Sequence, residues 1–254
     1  MTKITKTLNG LKVEFEYDRD KVEKVKSIPG RKYNPFDRTW DVPIESEEIL
    51  KELFDDLEIE EKDLEEETVI EKSMVFQSEL ETISNIGLKA FVKWALNNLP
   101  DYFYEVAASS TGKYHPSYAL GKGGLVRHTK AAVIIANNLF DNHTMQNFTD
   151  EEKDLIRVSL LLHDGVKHGL NGSRYTTSTH PLEVVKYLET LDNEFFNTNS
   201  WQIIKECIAS HMGEWNYDYK TKQEILPKPK TEMQKFVHLC DYLASRKCIE
   251  IKFN

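Results

Sequence analysis

The chain has 254 residues, 40% hydrophobic and 30% charged, with a formal net charge of -9. That length supports one sizeable core and a second, small one, and the negative charge argues against whole-surface attraction for nucleic acid while leaving room for a local basic groove, because fields act locally. No window approaches the ~20 apolar residues of a membrane span, the opening MTKITKTLNGLKVEFEY lacks the apolar stretch of a signal peptide, and Cys207, Cys240 and Cys248, far apart and without a CxxC, read as reduced thiols of a cytoplasmic protein.

In chain order, Leu11, Val13, Phe15 and Tyr17 alternate with polar residues after Asn9-Gly10, which predicts a hairpin whose first strand ends at Leu8. DRDKVEKVKSIPG predicts a short helix stopped by Pro29-Gly30. RKYNPFDRTWDVPI predicts a turn at Asn34-Pro35 and a strand around Trp40 and Val42, and residues 44–54 read as helix. Residues 1–54 thus form a small α+β module, near the lower size at which a core is self-sufficient. Residues 55–72, DDLEIEEKDLEEETVIEK, are strongly acidic and read as a linker.

From residue 73 to 254 the pattern is helical. SELETISNIGLKAFVKWALNNL and GGLVRHTKAAVIIANNLF carry apolar residues at helical spacing. Thr149 with Glu152, and Thr231 with Gln234, have the spacing of capping boxes, so helices are expected to start there. HPLEVVKYLETL places Pro181 at a first helical position, and WQIIKECIASHM follows Ser200, the expected cap.

Histidines and aspartates stand at the ends or on the inward stripes of these helices. His128 shares a face with Ala132 and Ile135. His163-Asp164 ends an apolar run, His180 begins a helix, His211 ends one, and Asp241 follows Cys240 in the stripe Met233, Phe236, Val237, Cys240, Ala244. Singly, each has an ordinary reading: a satisfied core histidine, a cap, an aspartate paired with Arg246 or His238. Together they are imidazoles and carboxylates of the kind that bind Mn, Fe, Co, Ni or Zn, and a helical bundle can point such groups at one centre.

The order His128, His163-Asp164, Asp241 resembles the HD superfamily of metal-dependent phosphohydrolases, over about residues 85–250. The resemblance implies an all-α HD-domain bundle in which His128, His163, Asp164 and Asp241 hold a metal, and His180 and His211 match the extra histidines of members that hold two. Met212 follows His211 where many two-metal members pair histidines, so the expected cofactor is one or two divalent ions (Mn, Fe, Ni, Co or Mg). Lys167, three residues after Asp164, fits an HD-x-x-Lys pattern and is expected near a bound phosphate. The lead-in TGKYHPSYALGKGGLVRHT resembles that of HD proteins related to 3′-5′ exoribonucleases. VEFEYDRDKVEKVKSIPGRKYNPFDRTWDVPI resembles the HARP-type module of annealing helicases, through its Phe15-x-Tyr17 strand, the turn from Lys26 to Arg31, and Trp40. In that setting the module handles DNA, and here Lys26, Arg31, Lys32 and Arg38 lie beside Tyr33 and Trp40. The same rings could equally fill a small core.

The implied activity is hydrolysis of phosphoester bonds in nucleic acid or nucleotides by a metal-activated water, with nuclease or phosphodiesterase favoured over a small-molecule nucleotidase or (d)NTP phosphohydrolase, and over a non-catalytic nucleotide- or nucleic-acid-binding protein. Asp164 is the expected bridge between two ions. His115 and Lys167 are the expected catalytic partners, and Lys113, Arg127 and Arg174 the expected substrate contacts. The polar loop Ser109–Gly112 could offer hydroxyls and amides. His143 and His168, without a partner pattern, are expected at the surface. The expected partner is the nucleic acid or nucleotide substrate, with no membrane contact; oligomeric state is left open.

Overall fold

The structure, a computed structural model, describes residues 2–7, 10–34, 38–60, 71–109, 112, 115–170, 172–173 and 175–253. The chain divides into two compact units, Met1–Ile70 and Glu71–Asn254.

The first unit is a small mixed sheet with two short helices. Strands β1 (Thr2–Thr7) and β2 (Gly10–Phe15) pair antiparallel with Thr7 opposite Gly10, as the hairpin pattern predicts; Leu8 and Asn9 lie outside the described residues. Helix α1 (Arg19–Lys26) is capped by Asp18, whose carboxylate accepts from the amides of Asp20 and Lys21. Strands β3 (Lys32–Asn34) and β4 (Thr39–Val42) pair antiparallel across a connection that includes Pro35, which is outside the described residues. Helix α2 (Glu47–Leu53) follows a single 3-10 turn. The stretch read as an acidic linker contributes a fifth strand, β5 (Leu57–Glu60), parallel to β1, so the sheet order is β3-β4-β2-β1-β5. Within the acidic run Leu57 and Ile59 alternate with Glu58 and Glu60, and that period of two is what a half-buried edge strand needs. Residues 61–70, the remainder of most of that stretch, lie outside the described residues. Ile4, Leu11, Val13, Val25, Ile28, Val42, Leu50 and Phe54 form the core. Tyr33 and Trp40 touch, with ring centroids 4.9 Å apart, on the half-exposed side.

The second unit is a helical bundle. After a 3-10 turn come α3 (Gln77–Glu81) and α4 (Ile86–Asn98), separated by a break at Thr82–Asn85. The longer helices are α5 (Gly124–Phe140), α6 (Asp150–Leu162), α7 (His180–Glu189), α8 (Asn199–Ser210) and α9 (Glu232–Ala244). Both predicted capping boxes are present, Thr149 with Glu152 and Thr231 with Gln234. Helix α8 is capped by Thr198 and not by Ser200. Thr198 has the extended backbone a cap requires and its hydroxyl accepts from the Trp201 amide at 3.1 Å, whereas Ser200 is already inside the helix.

Helix α6 is the centre of the bundle, packed against α4, α5, α8 and α9. That explains its apolar density: Ile156, Val158, Leu160, Leu161 and Leu162 are all fully buried. One buried charge fixes it in place. Asp154 accepts from the amides of Ser84 and Asn85 at 3.0 and 2.8 Å and from Arg157 at 2.8 Å. It thereby satisfies donors that the break before α4 leaves without helical partners. Among the described residues no helix is long and apolar enough to cross a membrane.

Candidate metal centre

The stretch LLHDGVKHG continues the axis of α6 into a series of tight turns, with amides of Gly165, Lys167 and Gly169 donating to carbonyls three residues back. Residues 161–169 are buried throughout. Gly165 is required by packing: a Cβ there would stand 2.7 Å from Leu99 Cδ2 and 3.0 Å from Val184 Cγ2. The turns therefore lie under α7 and hold His163 and Asp164 against the bundle interior.

Three histidines are oriented by one device. The Nδ1–H of His163 donates to the Leu160 carbonyl at 2.6 Å, that of His180 to Thr177 at 2.7 Å, and that of His211 to Ile208 at 2.7 Å. A carbonyl only accepts, so the proton sits on Nδ1 and the Nε2 lone pair faces inward. The spacing is three residues each time, because each ring folds back on a chain turn at a helix end.

Those lone pairs converge on Asp164. Its Oδ1 lies 3.0 Å from His180 Nε2 and 3.8 Å from His211 Nε2, and the two imidazole nitrogens are 3.2 Å apart. Its Oδ2 lies 3.4 Å from His163 Nε2 and 3.6 Å from His128 Nε2. Asp241 Oδ1 closes the second side, 2.9 Å from His128 Nε2 and 3.5 Å from His163 Nε2. On the Oδ1 side three acceptors face one another with no proton between them in the neutral state. Buried acceptors without donors are costly, and among the described residues Asp164 Oδ1 has no hydrogen-bond partner. A cation resolves this arrangement. Three ligand triads satisfy metal-holding distances: His128, His163, Asp164; His163, His211, Asp241; and Asp164, His180, His211. All six residues named from the sequence are brought together.

The chain's own charges partly neutralise the centre. The Lys167 ammonium donates to Asp164 Oδ2. Burial would push both carboxyls up, but Lys167 and His163 hold Asp164, and His128 and His163 hold Asp241, well below the usual carboxylate range. Burial likewise opposes charge on His163, yet Asp164 and Asp241 outweigh it and raise the imidazole to about 10. His211 is lowered to about 3 by burial and by His163, which outweigh the upward pull of Asp241 and Asp164. The field at the centre favours positive charge on the His163 side.

The remaining expected site residues divide. Lys167, with a side chain only 11% exposed, reaches the centre. His115 is half-buried beside His128, ring centroids 5.5 Å apart, and burial with His128 lowers it to about 4. Arg127 does not reach toward a substrate: its guanidinium donates to the carbonyls of Tyr118, Leu120 and Lys122 and pins the lead-in segment to α5. Lys113 and Arg174 lie outside the described residues, as do Ser110 and Thr111 of the polar loop. His168 is buried, stacked on Tyr102 with its amide donating to the Tyr102 hydroxyl, and not a surface residue. His143 is exposed as expected.

His238 was not singled out by sequence. It donates from Nδ1 to the His211 carbonyl at 2.6 Å and so fixes the turn that presents His211. Its position three residues before Asp241 on the same helix is the signal that marks it. The ring packs where Gly213, at φ +58, leaves space; a Cβ there would be 2.2 Å from it.

Residues 125–246 match the family model described as HD domain. With the His/Asp cluster, the match supports the HD superfamily, whose domain implies metal-dependent phosphohydrolase activity in general. It spans α5 to the end of α9 and covers neither the N-terminal module nor the lead-in before residue 125. No curated protein and no solved structure matches the chain.

Proposed function

We propose that the second unit is a phosphodiesterase that cleaves nucleic acid at a two-ion centre. The observation that carries this reading is Asp164: each of its carboxylate oxygens faces a separate pair of histidine Nε2 atoms. One ion would be held by His128, His163, Asp241 and Asp164 Oδ2, the other by His180, His211 and Asp164 Oδ1. Such a pair supplies charge neutralisation at the phosphate and lowers the pKa of the attacking water. The histidine-rich donor set suits Mn, Fe, Co or Ni better than oxygen-preferring Mg.

The protein's own groups supply the rest. The Nδ1–carbonyl bonds hold the imidazoles in one tautomer, so no reorganisation accompanies substrate binding. Lys167, fixed by Asp164, is the cation that reaches the centre among the described residues and would meet a bound phosphate. His115, neutral near pH 7, hydrogen-bonds the substrate or the leaving oxygen; its buried Nδ1 has no partner among the described residues. Partial exposure of Asp241, 18% against 2% or less for the other ligand side chains, marks the side from which substrate enters.

The test is metal loading followed by a substrate panel. Purified protein given Mn or Ni should retain metal by elemental analysis and hydrolyse bis-p-nitrophenyl phosphate and oligonucleotides in preference to p-nitrophenyl phosphate. Release from mononucleotides alone would move the assignment to a nucleotidase. Absence of bound metal and of turnover on every substrate would refute the enzyme reading.

A further inference from the structure

The chain leaves His211 through residues 213–226, which form a small hairpin closed by a bridge between Tyr217 and Glu224. Exposure alternates along it: Trp215 is 42% exposed, Tyr217 40% and Tyr219 82%, while Asn216 between them is 1% exposed. The rings are displayed on a built backbone. The Asn216 carbonyl accepts from the amides of Ile225 and Leu226, and its side-chain amide donates to the Leu226 carbonyl. Asp218 accepts from the amides of Lys220 and Thr221 at the tip. Tyr219 in particular, held toward water on a fixed turn, gains little from burial within this chain, and Trp215 and Tyr217 keep about two-fifths of their surface exposed.

Cations accompany the rings. Lys222, in the left-handed region at φ +60, places its ammonium 5.6 Å from the Tyr217 ring and 4.3 Å from the Tyr219 ring. Lys220 is exposed beside it. At the inner end the Trp215 ring stacks on Tyr242, centroids 5.7 Å apart and 11° from parallel, and the Arg246 guanidinium lies 4.4 Å from the Tyr242 ring. Tyr242 follows Asp241, the most exposed ligand of the centre. The inner end of the strip lies against His238, whose ring centroid is 6.1 Å from that of Trp215 and whose Nδ1 donates to the carbonyl of His211.

We propose that this hairpin is a platform for single-stranded nucleic acid. Unpaired bases stack on Trp215, Tyr217 and Tyr219, Lys220, Lys222 and Arg246 meet the phosphates, and the strand is led past Asp241. Base–aromatic stacking tolerates any sequence, because every base has a π-face. A duplex cannot use the rings, because its bases are already stacked on one another. Delivery of the strand to the centre rests on the phosphodiesterase reading; binding to the platform does not.

The full chain is titrated into a fluorescein-labelled phosphorothioate single strand, which resists hydrolysis, and into the matching duplex, with anisotropy as the readout. The single strand should bind more tightly than the duplex. Tyr217→Ala with Tyr219→Ala should weaken single-strand binding at least about tenfold, whereas the two Phe substitutions, which keep the rings, should retain it. Equal binding of strand and duplex, or an Ala pair that binds as tightly as the parent, overturns the platform. Turnover of bis-p-nitrophenyl phosphate is measured in parallel. Its absence with ring-dependent strand binding intact defeats the phosphodiesterase reading and leaves the platform standing.

Discussion

Asp164→Asn keeps the shape of the side chain and removes one negative charge at the point where both halves of the centre meet. The carboxylate is 1% exposed, carries the Lys167 ammonium on Oδ2, and stands 3.0 Å from His180 Nε2 and 3.4 Å from His163 Nε2. In chelator, the substitution leaves Lys167 buried without its counter-charge, and breaking a buried pair in this way costs about 3–5 kcal/mol. Adding Lys167→Met should recover part of that loss, because an apolar group of similar length has no charge to compensate. At a free ion concentration a hundredfold above its Kd, one site adds about 2.7 kcal/mol to wild-type stability. The Asn variant, lacking the shared anionic ligand, should gain almost none. Urea unfolding followed by tryptophan fluorescence, to which buried Trp201 contributes, with and without Mn, measures both effects, and elemental analysis after desalting counts the ions. An Asn variant that keeps the wild-type metal content and the same metal-dependent stabilisation would refute the assignment of Asp164 as the bridge.

Three further outcomes follow from the same structure. The metal-free protein should be most stable near pH 6.5: His211, lowered from 6.5 to about 3, is neutral in the fold, so its contribution is lost as pH falls from 6.5 toward 3, while His163, raised from 6.5 to about 10, contributes below 6.5 and loses that contribution as pH rises toward 10. Urea midpoints in chelator across that range check the maximum, and a midpoint that climbs steadily from pH 6.5 to 10 would contradict it. Asp154→Ala removes the acceptor for two amides and the counter-charge of Arg157, which keeps its hydrogen bond to Asn137, so a loss of about 3–5 kcal/mol is expected with metal stoichiometry of the folded fraction unchanged; a loss under about 1 kcal/mol would show that the break before α4 is held by something else. Gly213→Ala puts a methyl on the His238 ring in a left-handed backbone, so it should cost stability by about 1–3 kcal/mol and lower metal affinity through His211, read by calorimetric titration with Mn; unaltered affinity would remove His238 from the support of the site.

Much of the bundle and its centre was legible because the signals are local. Thr149 with Glu152 and Thr231 with Gln234 announce helix starts within four residues, and both boxes form. The six candidate ligands were legible only together, through residue type and an order that resembles the HD superfamily, since each alone has an ordinary reading. Other features resisted reading. Strand β5 is paired with β1 across more than fifty intervening residues, and its alternation is masked by acidic neighbours. Arg127 looks like a phosphate contact until its guanidinium is seen on three carbonyls, and His168 looks exposed until Tyr102 is seen beneath it.

By itself, then, the sequence determined where α6 and α9 begin, that a small mixed α+β module precedes a helical unit, and which six side chains are candidates to hold a cation. Only the tertiary structure decided that Asp164 turns one oxygen to His128 and His163 and the other to His180 and His211, that the tautomers of His163, His180 and His211 are set by carbonyls three residues back, and that Trp215 lies on Tyr242 and against His238. The division has a physical cause. Caps and periodicity depend on neighbours within one or two helical turns, whereas ligand convergence and ring stacking depend on how α5 to α9 pack, and packing joins residues that the chain keeps far apart.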